Sequence, residues 1–369
     1  MNTAVYDYRI FSQQEFGGVS RYFCEIATRI EQRSDWRTRV VAPVHFNRYL
    51  ADSKIATVGL FIPLPHPRLK RLYTWCNKLA ASPFMALNRG TVFHHTYFSP
   101  QPYKSKGPTV ITVYDMIHEL FPQYFPHEDA TRRWKRANVD AADHIICISH
   151  STARDLQRIL AVPPEKISVV HLAPSESFNA VHPTSESVPK SETRPYFLYV
   201  GARGGYKNFS RLLDAFGASS RISTEFDLLV FGGGPFTRAE SEKIKELGLR
   251  PDAIRRIFGN DQSLARYYAN ACAFVYPSEY EGFGIPPLEA MSCGCAVACS
   301  IGSSIPEVVG TAAEFFDPAS IDSIRSALER IAFDDGRRAE LVDAGRVQAS
   351  LYSWDKCADE TVAIYRSLV

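Results

Sequence analysis

The sequence predicts an α/β protein with two Rossmann-like, doubly wound parallel sheets. The length of 369 residues suits two domains of ordinary size, and 45% of the residues are apolar, which is enough for two cores. Short apolar runs alternate with helical patterns in both halves of the chain. A stretch at 174–195 that is rich in Ser, Thr, Pro and Glu separates the halves, and we predict that it is a linker.

The first half contains apolar runs of strand length separated by helical patterns. We predict strands at 3–8, 39–42, 92–95, 109–114, 144–148 and 167–172. We predict helices at 19–30, 129–142 and 151–160. Strands that alternate with helices of this length indicate a parallel sheet with helices on its faces.

The second half repeats the alternation. We predict strands at 196–201, 226–231, 254–258, 273–276, 296–300 and 313–316. We predict helices at 208–216, 237–247, 263–271, 285–292 and 321–332, and an amphipathic helix at 354–368. Ligands of such sheets bind beyond the carboxyl ends of the strands, so two facing sheets would share one cleft.

The composition argues against several partners and locations. A net charge of +2 and a pI near 8.1 give no reason to expect nucleic acid or another polyelectrolyte. The chain has no run of 18 apolar residues, and its start lacks a signal-peptide pattern, so we expect a cytoplasmic protein. Most of the eight cysteines lie within apolar runs, as reduced cysteines do. Cys293, Cys295 and Cys299 match no common zinc spacing, so no metal site is predicted.

The segment SEYEGFGIPPLEAMSCGCAVAC, residues 278–299, carries the strongest chemical pattern. Glu281 lies in a loop after a predicted strand, and Glu289 lies about one turn into the next helix. Gly282 and Gly284 lack Cβ, so a ligand can approach their backbone N–H groups just before the helix begins. Carboxylates for hydroxyl groups and amides for phosphate would suit a sugar nucleotide. The alternative is a strand, a turn and a helix whose glutamates are solvated or cap the helix.

The string EGFGIPPLEAM resembles the signature of the retaining family-4 glycosyltransferases, which have the GT-B fold of two facing Rossmann-like sheets with a cleft between them. The resemblance implies that Glu281 lies by the donor sugar and that Glu289 binds the ribose of the nucleotide. It also implies that Gly282, Phe283, Gly284 and Ile285 line the donor site. It assigns the acceptor side to residues 1–180 with the helix 354–369 crossing back, and the nucleotide sugar to residues 195–350.

A glycine pair, Gly17 and Gly18, opens the first predicted helix and can form an amide cradle for phosphate. The pair resembles the N-terminal glycine loop of the same transferases, which implies that it faces the donor diphosphate. A simple turn before a helix is the alternative.

Two basic residues follow the first strand of the second half, in VGARGGYKNF. Arg203 and Lys207 can neutralise a diphosphate leaving group, whose charge grows in the transition state. Lys207 matches the family pattern. The spacing between Arg203 and Lys207 is shorter than that between the corresponding basic residues in many relatives. The alternative is a solvated pair. The family also implies that Phe258 and Asn260, after the strand at 254–258, lie near the nucleotide base.

The segment TVYDMIHELFPQYF departs from the family pattern. Many relatives have a His-Asp pair here, with the histidine near the donor sugar and phosphate. This chain has Tyr114 and Asp115 instead, with His118 further along. Tyrosine can donate a hydrogen bond but is uncharged at neutral pH. His118 would then supply the histidine function, unless it is a buried, satisfied core residue.

The sequence also suggests what is absent and where an acceptor binds. No D-x-D triplet occurs, which argues against a diphosphate held through a divalent ion and favours transfer without a metal or cofactor. Residues 67–79 combine basic and aromatic side chains, as helices on anionic membranes do, or form a surface helix of their own domain. The basic run 132–136 is interpreted as a solvated helix face.

The resemblance therefore predicts a retaining, metal-independent hexosyltransferase that resembles the bacterial mannosyltransferases. The expected donor is GDP-mannose, with a UDP-sugar as the alternative. The expected acceptor is a saccharide or a lipid-linked saccharide in bacterial polysaccharide or lipopolysaccharide biosynthesis, at the inner face of the plasma membrane. The same motifs are also compatible with a glycogen-synthase-like polymerase and with a non-catalytic protein that binds sugar nucleotides.

Overall fold

A computed structural model describes residues 2–63, 73, 75–80, 91–102, 106–178 and 194–369 of the chain. The chain divides into two compact units. Unit 1 contains Met1–Leu172 together with Ser353–Val369, and unit 2 contains Ala173–Tyr352. Most of the predicted linker, residues 179–193, lies outside the described residues.

Unit 1 is built on a parallel sheet whose strands are ordered β3-β2-β1-β4-β5-β6-β7. The strands are β1 Thr3–Asp7, β2 Arg37–His45, β3 Thr57–Phe61, β4 Val92–His95, β5 Thr109–Val113, β6 His144–Cys147 and β7 Ile167–Val169. β1 pairs with β2 on one side and with β4 on the other, both in parallel. This order places the reversal of the winding between β1 and β4.

The described α-helices of unit 1 are Gly18–Arg33, Arg48–Ala51, Ile117–Leu120, Thr131–Ala141, His150–Leu160 and Trp354–Ser367, and residues 75–80 are also helical. In Gly18–Arg33 the buried side chains recur at helical spacing, and this face packs against Trp354–Ser367. Arg29 Nε lies 2.9 Å from Asp355 Oδ1, and Arg33 Nη2 lies 2.9 Å from Asp359 Oδ2. The final helix is therefore part of unit 1.

Unit 2 contains a second parallel sheet, ordered β10-β9-β8-β11-β12-β13. The strands are β8 Tyr196–Val200, β9 Asp227–Phe231, β10 Ile254–Ile257, β11 Ala273–Tyr276, β12 Val297–Ser300 and β13 Glu314–Phe316. The α-helices are Phe209–Ala218, Ser220–Glu225, Arg238–Glu246, Asp261–Asn270, Ile285–Ser292, Ile305–Val309, Ile321–Phe333 and Asp335–Ser350. The winding reverses between β8 and β11, so the loops after these two strands lie side by side.

The predicted α/β fold of two parallel sheets is confirmed, but several elements were not predicted, among them β3 and the helix Asp335–Ser350. β3 has a largely exposed pattern and contains Gly59, and Leu60 is 68% exposed. Gly59 interrupts the apolar residues of this strand, and a glycine in a strand interior weakens the strand signal. The helix Asp335–Ser350 fully buries only Leu341, Gly345 and Ala349; Val342 is partly buried, and Val347 is 67% exposed. Small and polar residues hide the helical period there.

In the part of the chain that the structure describes, no helix has both the length and the apolar character needed to cross a bilayer.

Candidate active site

The loops after β8 and β11 meet at the reversal point of the second sheet and bring Lys207 to Glu281. Lys207 Nζ lies 2.7 Å from Glu281 Oε1, and both side chains are mostly but not fully buried. The two residues are 74 positions apart in sequence. The fold therefore joins a basic residue and a carboxylate at the strand ends, where ligands of such sheets bind.

Backbone and side-chain hydrogen bonds hold these two loops together. Glu279 N donates to Tyr206 O at 2.8 Å. The Asn208 amide donates to Pro277 O at 3.0 Å and to Pro318 O at 2.8 Å. Asn208 itself has φ +59°, a left-handed conformation that asparagine tolerates better than most residues. The position of Lys207 is therefore fixed by its neighbour in sequence, a residue that was not predicted to belong to the site.

Tyr276, the last residue of β11, borders the Lys207–Glu281 pair. Burial raises the pKa of Tyr276 well above its ordinary value, and the charge of Glu281 and a hydrogen bond to it raise this pKa further. The phenol therefore stays protonated and can donate to the carboxylate. Lys207 Nζ also lies 5.9 Å from the centre of the Tyr276 ring.

Two serines support the loop that carries Glu281. Glu281 N donates to Ser303 Oγ at 2.9 Å. The Ser304 hydroxyl lies 2.8 Å from Glu281 O and 2.6 Å from Phe283 O, so its one proton is shared between two carbonyl groups. Gly284 has φ +136°, where a residue with Cβ would be strained. These contacts fix the turn that leads into Ile285–Ser292.

Glu289 lies in the helix Ile285–Ser292 and is 7% exposed. Its charge adds to burial in raising the pKa of Tyr268 well above the ordinary value. Phe283 is buried and packs edge-on against Tyr352, with ring centres 5.8 Å apart. Any contact of Phe283 with a donor would therefore use its backbone, as would contacts of Gly282 and Gly284.

Arg203 has a different carboxylate partner, Glu240. Its Nε donates to Glu240 Oε1 at 2.8 Å, and Nη2 donates to Gly234 O at 2.9 Å and to Pro235 O at 2.8 Å. The side chain is 5% exposed. The contact of Arg203 with a diphosphate stays a prediction.

Phe258 and Asn260 follow β10. Phe258 is 76% exposed, with the Arg256 guanidinium 5.8 Å from the centre of its ring. The Asn260 side-chain oxygen accepts from Ser263 N at 2.9 Å and so caps the helix Asp261–Asn270. An exposed aromatic ring is available to a nucleotide base, whereas the Asn260 oxygen already serves the helix.

In unit 1, Tyr114, Asp115 and His118 follow β5. Tyr114 is buried, its hydroxyl donates to Thr96 O at 3.4 Å, and burial raises its pKa well above the ordinary value. His118 Nε2 lies 3.4 Å from Asp129 Oδ2, and its ring stacks on Phe125 with centres 3.9 Å apart. Burial lowers the pKa of His118 despite the charge of Asp115. His118 is therefore neutral at pH 7 and is not a fixed positive charge.

Lys135 belongs to the run 132–136, which was interpreted as a solvated helix face, but it is buried and supports the Asp115 loop, so the interpretation is wrong for this residue. Lys135 is 1% exposed, and its Nζ lies 2.7 Å from Glu119 Oε2. It also donates to Asp115 O at 2.8 Å. The position of Asp115 thus depends on a side chain from the helix Thr131–Ala141.

The two predicted cradle glycines of unit 1 have different surroundings. A Cβ added at Gly17 would lie 2.2 Å from Gln14 Oε1, which accepts from Ser20 N at 3.2 Å. A Cβ at Gly18 would meet no atom within 4 Å. Gln14 therefore already serves one N–H group at the start of this helix, and Gly18 leaves open space.

The reversal point of the first sheet holds a buried network that was not predicted. Asp7 ends β1, and His95 ends β4. Asp7 Oδ2 lies 2.8 Å from His95 Nδ1 and 2.9 Å from Arg9 Nη1. Burial alone would raise the pKa of Asp7, but Arg9 and His95 hold it well below its usual range. A polar residue near the end of the strand predicted at 3–8 and another at the end of the strand predicted at 92–95 were the signal that could have revealed this network.

Comparison with known proteins agrees with these features. Residues 16–173 match Glycosyltransferase Family 4, and residues 183–348 match Glycosyl transferases group 1. The chain is 32% identical over 269 residues to O-antigen chain mannosyltransferase B of Escherichia coli, covering 70% of each chain. It is 28% identical to O-antigen chain mannosyltransferase RfbU of Salmonella typhimurium strain LT2, covering 60% of each.

The structure also resembles sucrose-phosphate synthase from Thermosynechococcus elongatus, with a TM-score of 0.76 at 19% identity, covering 100% of this chain and 99% of that one. At this identity the likeness concerns the fold. The two parallel sheets and this likeness define a protein of the GT-B fold class. The chain belongs to glycosyltransferase family 4, and the resemblance first seen in EGFGIPPLEAM is confirmed.

Proposed function

We propose that the chain is a retaining mannosyltransferase that uses GDP-mannose. The proposed acceptor is a saccharide or a lipid-linked saccharide in bacterial polysaccharide or lipopolysaccharide biosynthesis. The observation that carries the proposal is the 32% identity to an O-antigen chain mannosyltransferase over 70% of the chain. The Lys207–Glu281 pair at the strand ends of unit 2 supplies matching chemistry.

In this proposal Lys207 and the amides before Ile285–Ser292 meet the diphosphate, while Glu281 lies beside the sugar. The bond from the sugar C1 to the phosphate oxygen breaks, and the acceptor oxygen forms a bond to C1 on the same face. The acceptor proton passes to the departing phosphate. This route uses neither a protein nucleophile nor a metal or cofactor.

A donor panel tests the proposal. Purified protein is incubated with GDP- and UDP-sugars, with and without saccharide acceptors, and the released nucleotide and the product anomer are measured. We expect turnover of GDP-mannose with retention. Turnover confined to UDP-sugars would reassign the donor, and inversion would contradict the mechanism. Binding of a sugar nucleotide without hydrolysis or transfer would favour a non-catalytic binding protein.

We also propose that the protein contacts anionic membrane through residues 67–79. Residues 67–72 and 74 lie outside the described residues, but Trp75 is 59% exposed and Leu79 is 56% exposed. Sedimentation with vesicles of anionic and of neutral lipid tests the contact. We expect binding to anionic vesicles that falls with salt, because salt screens surface attraction. Equal binding to both vesicle types would contradict it.

A further inference from the structure

The Arg203 guanidinium joins the loop after β8 to the loop after β9 and to the following helix. Nε and Nη2 approach the two carboxylate oxygens of Glu240 at 2.8 Å and 3.3 Å. Nη2 also donates to Gly234 O and Pro235 O. This two-point contact with a carboxylate fixes the plane of the guanidinium as well as its position.

Glu240 is itself fixed by the helix that carries it. The residue occupies the third position of Arg238–Glu246, where Thr237 N donates to its Oε2 at 2.6 Å and Glu240 N donates to Thr237 Oγ1 at 3.2 Å. This reciprocal arrangement is a capping box. Burial opposes ionisation of Glu240, but Arg203 and the cap lower its pKa, so the carboxylate is charged at neutral pH.

One nitrogen of Arg203 lacks a partner. Nη1 is buried and makes no hydrogen bond within the described part of the chain. An unpaired buried donor is unfavourable, and for a charged group the cost is higher. A Cβ added at Gly233 would lie 2.4 Å from Nη1, at a backbone φ of +62°. Nη1 therefore occupies space that is free only because residue 233 is a glycine.

The two loops that Arg203 joins leave open space beside their backbone. An added Cβ at Gly201, Gly204, Gly232 or Gly234 would meet no atom within 4 Å. Unpaired cationic N–H groups beside backbone that lacks side chains are suited to phosphate oxygens. The unmet donor and the open loops are independent observations, and both indicate an anionic ligand.

We propose that Glu240 is a positioning residue that, together with the space at Gly233, holds Arg203 Nη1 ready for a phosphate of the donor. The inference rests on the proposed function, because the diphosphate of the sugar nucleotide is the anion in question. Glu240 touches neither donor nor acceptor and acts through Arg203.

The test compares Glu240→Gln with Glu242→Gln. Glutamine also suits the third position of a capping box, so the helix start is kept. Glu242 lies on the same helix, and its exposed pair with Arg238 at 2.7 Å makes it a matched control. Calorimetry gives the affinities for GDP and UDP, and competition gives those for guanosine and uridine. We expect Glu240→Gln to lower the affinity for the nucleoside diphosphate about tenfold. The affinity for the nucleoside should stay within about twofold of the wild-type value.

A double variant and a glycine pair complete the test. Arg203→Met with Glu240→Gln should bind the diphosphate no more weakly than Arg203→Met alone, because the two residues act as a unit. Gly233→Ala should reproduce the selective loss. Gly248→Ala is its control, since Gly248 has φ +61° with no atom within 4 Å of an added Cβ.

The outcomes separate this inference from the proposed function. If Glu240→Gln lowers the affinities for diphosphate and nucleoside equally, or lowers neither, the inference is overturned. The proposed function stands in that case as long as the wild-type protein transfers sugar. If the Glu240 variant does not fold, the comparison of Gly233→Ala with Gly248→Ala decides in the same way. A wild-type protein that binds neither diphosphate would overturn the proposed function and this inference together.

Discussion

Among single residues, Glu281 and Glu289 lie in one short segment but have different surroundings. Glu281 accepts from Lys207 and is held by the serine-supported loop. Glu289 lies inside the following helix beside Tyr268. Two carboxylates with such different neighbours are suited to different tasks, which separate kinetic constants can distinguish.

Glu281→Gln is expected to lower kcat about a hundredfold or more, if its contact strengthens as charge develops on the sugar. The substitution is nearly isosteric, so the fold should be kept. Steady-state kinetics with the active donor measure the change, and circular dichroism checks the fold. Full turnover combined with a collapse of nucleotide affinity would reverse the assignment.

Glu289→Gln is expected mainly to raise the donor KM and to weaken binding of the free nucleoside diphosphate. The reason is that contacts with the ribose stabilise the ground state and the transition state equally. Calorimetry with the diphosphate, alongside kinetics, measures both effects. A large loss of kcat at unchanged KM would show that Glu289 is not a simple ribose ligand.

The sequence could predict that Lys207 and Glu281 both belong to the donor site, because each follows a recognisable strand and the parallel order of the sheet brings such positions together. It could not predict the orientation of Arg203. That orientation depends on Glu240, 37 residues away, whose part in a helix cap is visible in sequence but whose second contact is not. Asn208 was missed because its left-handed backbone is a property of the folded turn.

Among the elements, the helix Thr131–Ala141 is joined to the Asp115 loop by one buried charge. Lys135→Met would leave Glu119, whose side chain is 6% exposed, without its cation. We expect a loss of about 3–5 kcal/mol in the free energy of unfolding, because an uncompensated buried charge is costly. Denaturant titration measures it.

The control for Lys135 combines Lys135→Met with Glu119→Gln, which removes both charges and should recover much of the loss. Arg158→Met removes an exposed partner of Asp155 and should cost at most about 1 kcal/mol. Equal effects of the two single substitutions would contradict the role of the buried pair.

His94 links β4 to the final helix and predicts a pH dependence of stability. Its ring lies 2.6 Å from Tyr365 Oη and 2.8 Å from Thr112 Oγ1, and burial, with a smaller effect of His95, lowers its pKa from 6.5 to about 3. Between these values the unfolded chain binds the extra proton. The contribution to stability is therefore complete above pH 6.5 and declines as the pH falls toward 3.

Thermal unfolding from pH 7 to 4 measures this effect in wild type, in His94→Gln and in a control at the exposed His127. The His94 variant should show a shallower decline, whatever its stability at pH 7, and the control should follow the wild type. Parallel curves for all three proteins would show that His94 is not the group responsible.

The elements were predictable where burial gives a regular period and not elsewhere. The helix Gly18–Arg33 and strand β11 carry dense apolar patterns, whereas Asp335–Ser350 packs through Gly345 against Met291. A contact made through glycine adds no apolar side chain to the sequence pattern. The fold of the whole was therefore easier to predict than its outermost layers.

For the whole molecule, the absence of a D-x-D triplet and the Lys207–Glu281 pair predict transfer without a divalent metal. EDTA should leave the initial rate nearly unchanged, and added magnesium or manganese should not raise it much. The measurement is the rate of product formation after exhaustive chelation. Loss of activity that either ion restores would contradict the prediction.

The chain path through the two units has a consequence for synthesis on the ribosome. Unit 2 is continuous, so its core can close soon after residue 352 has emerged. Synthesis of unit 1 begins before that of unit 2, yet the helix Trp354–Ser367 that covers Gly18–Arg33 is made after the whole of unit 2. Tyr6 and His94 meet their partner Tyr365 only at that point. A nascent chain stalled before residue 353 would carry a complete second unit and an unfinished first one, so the first unit is completed after the second.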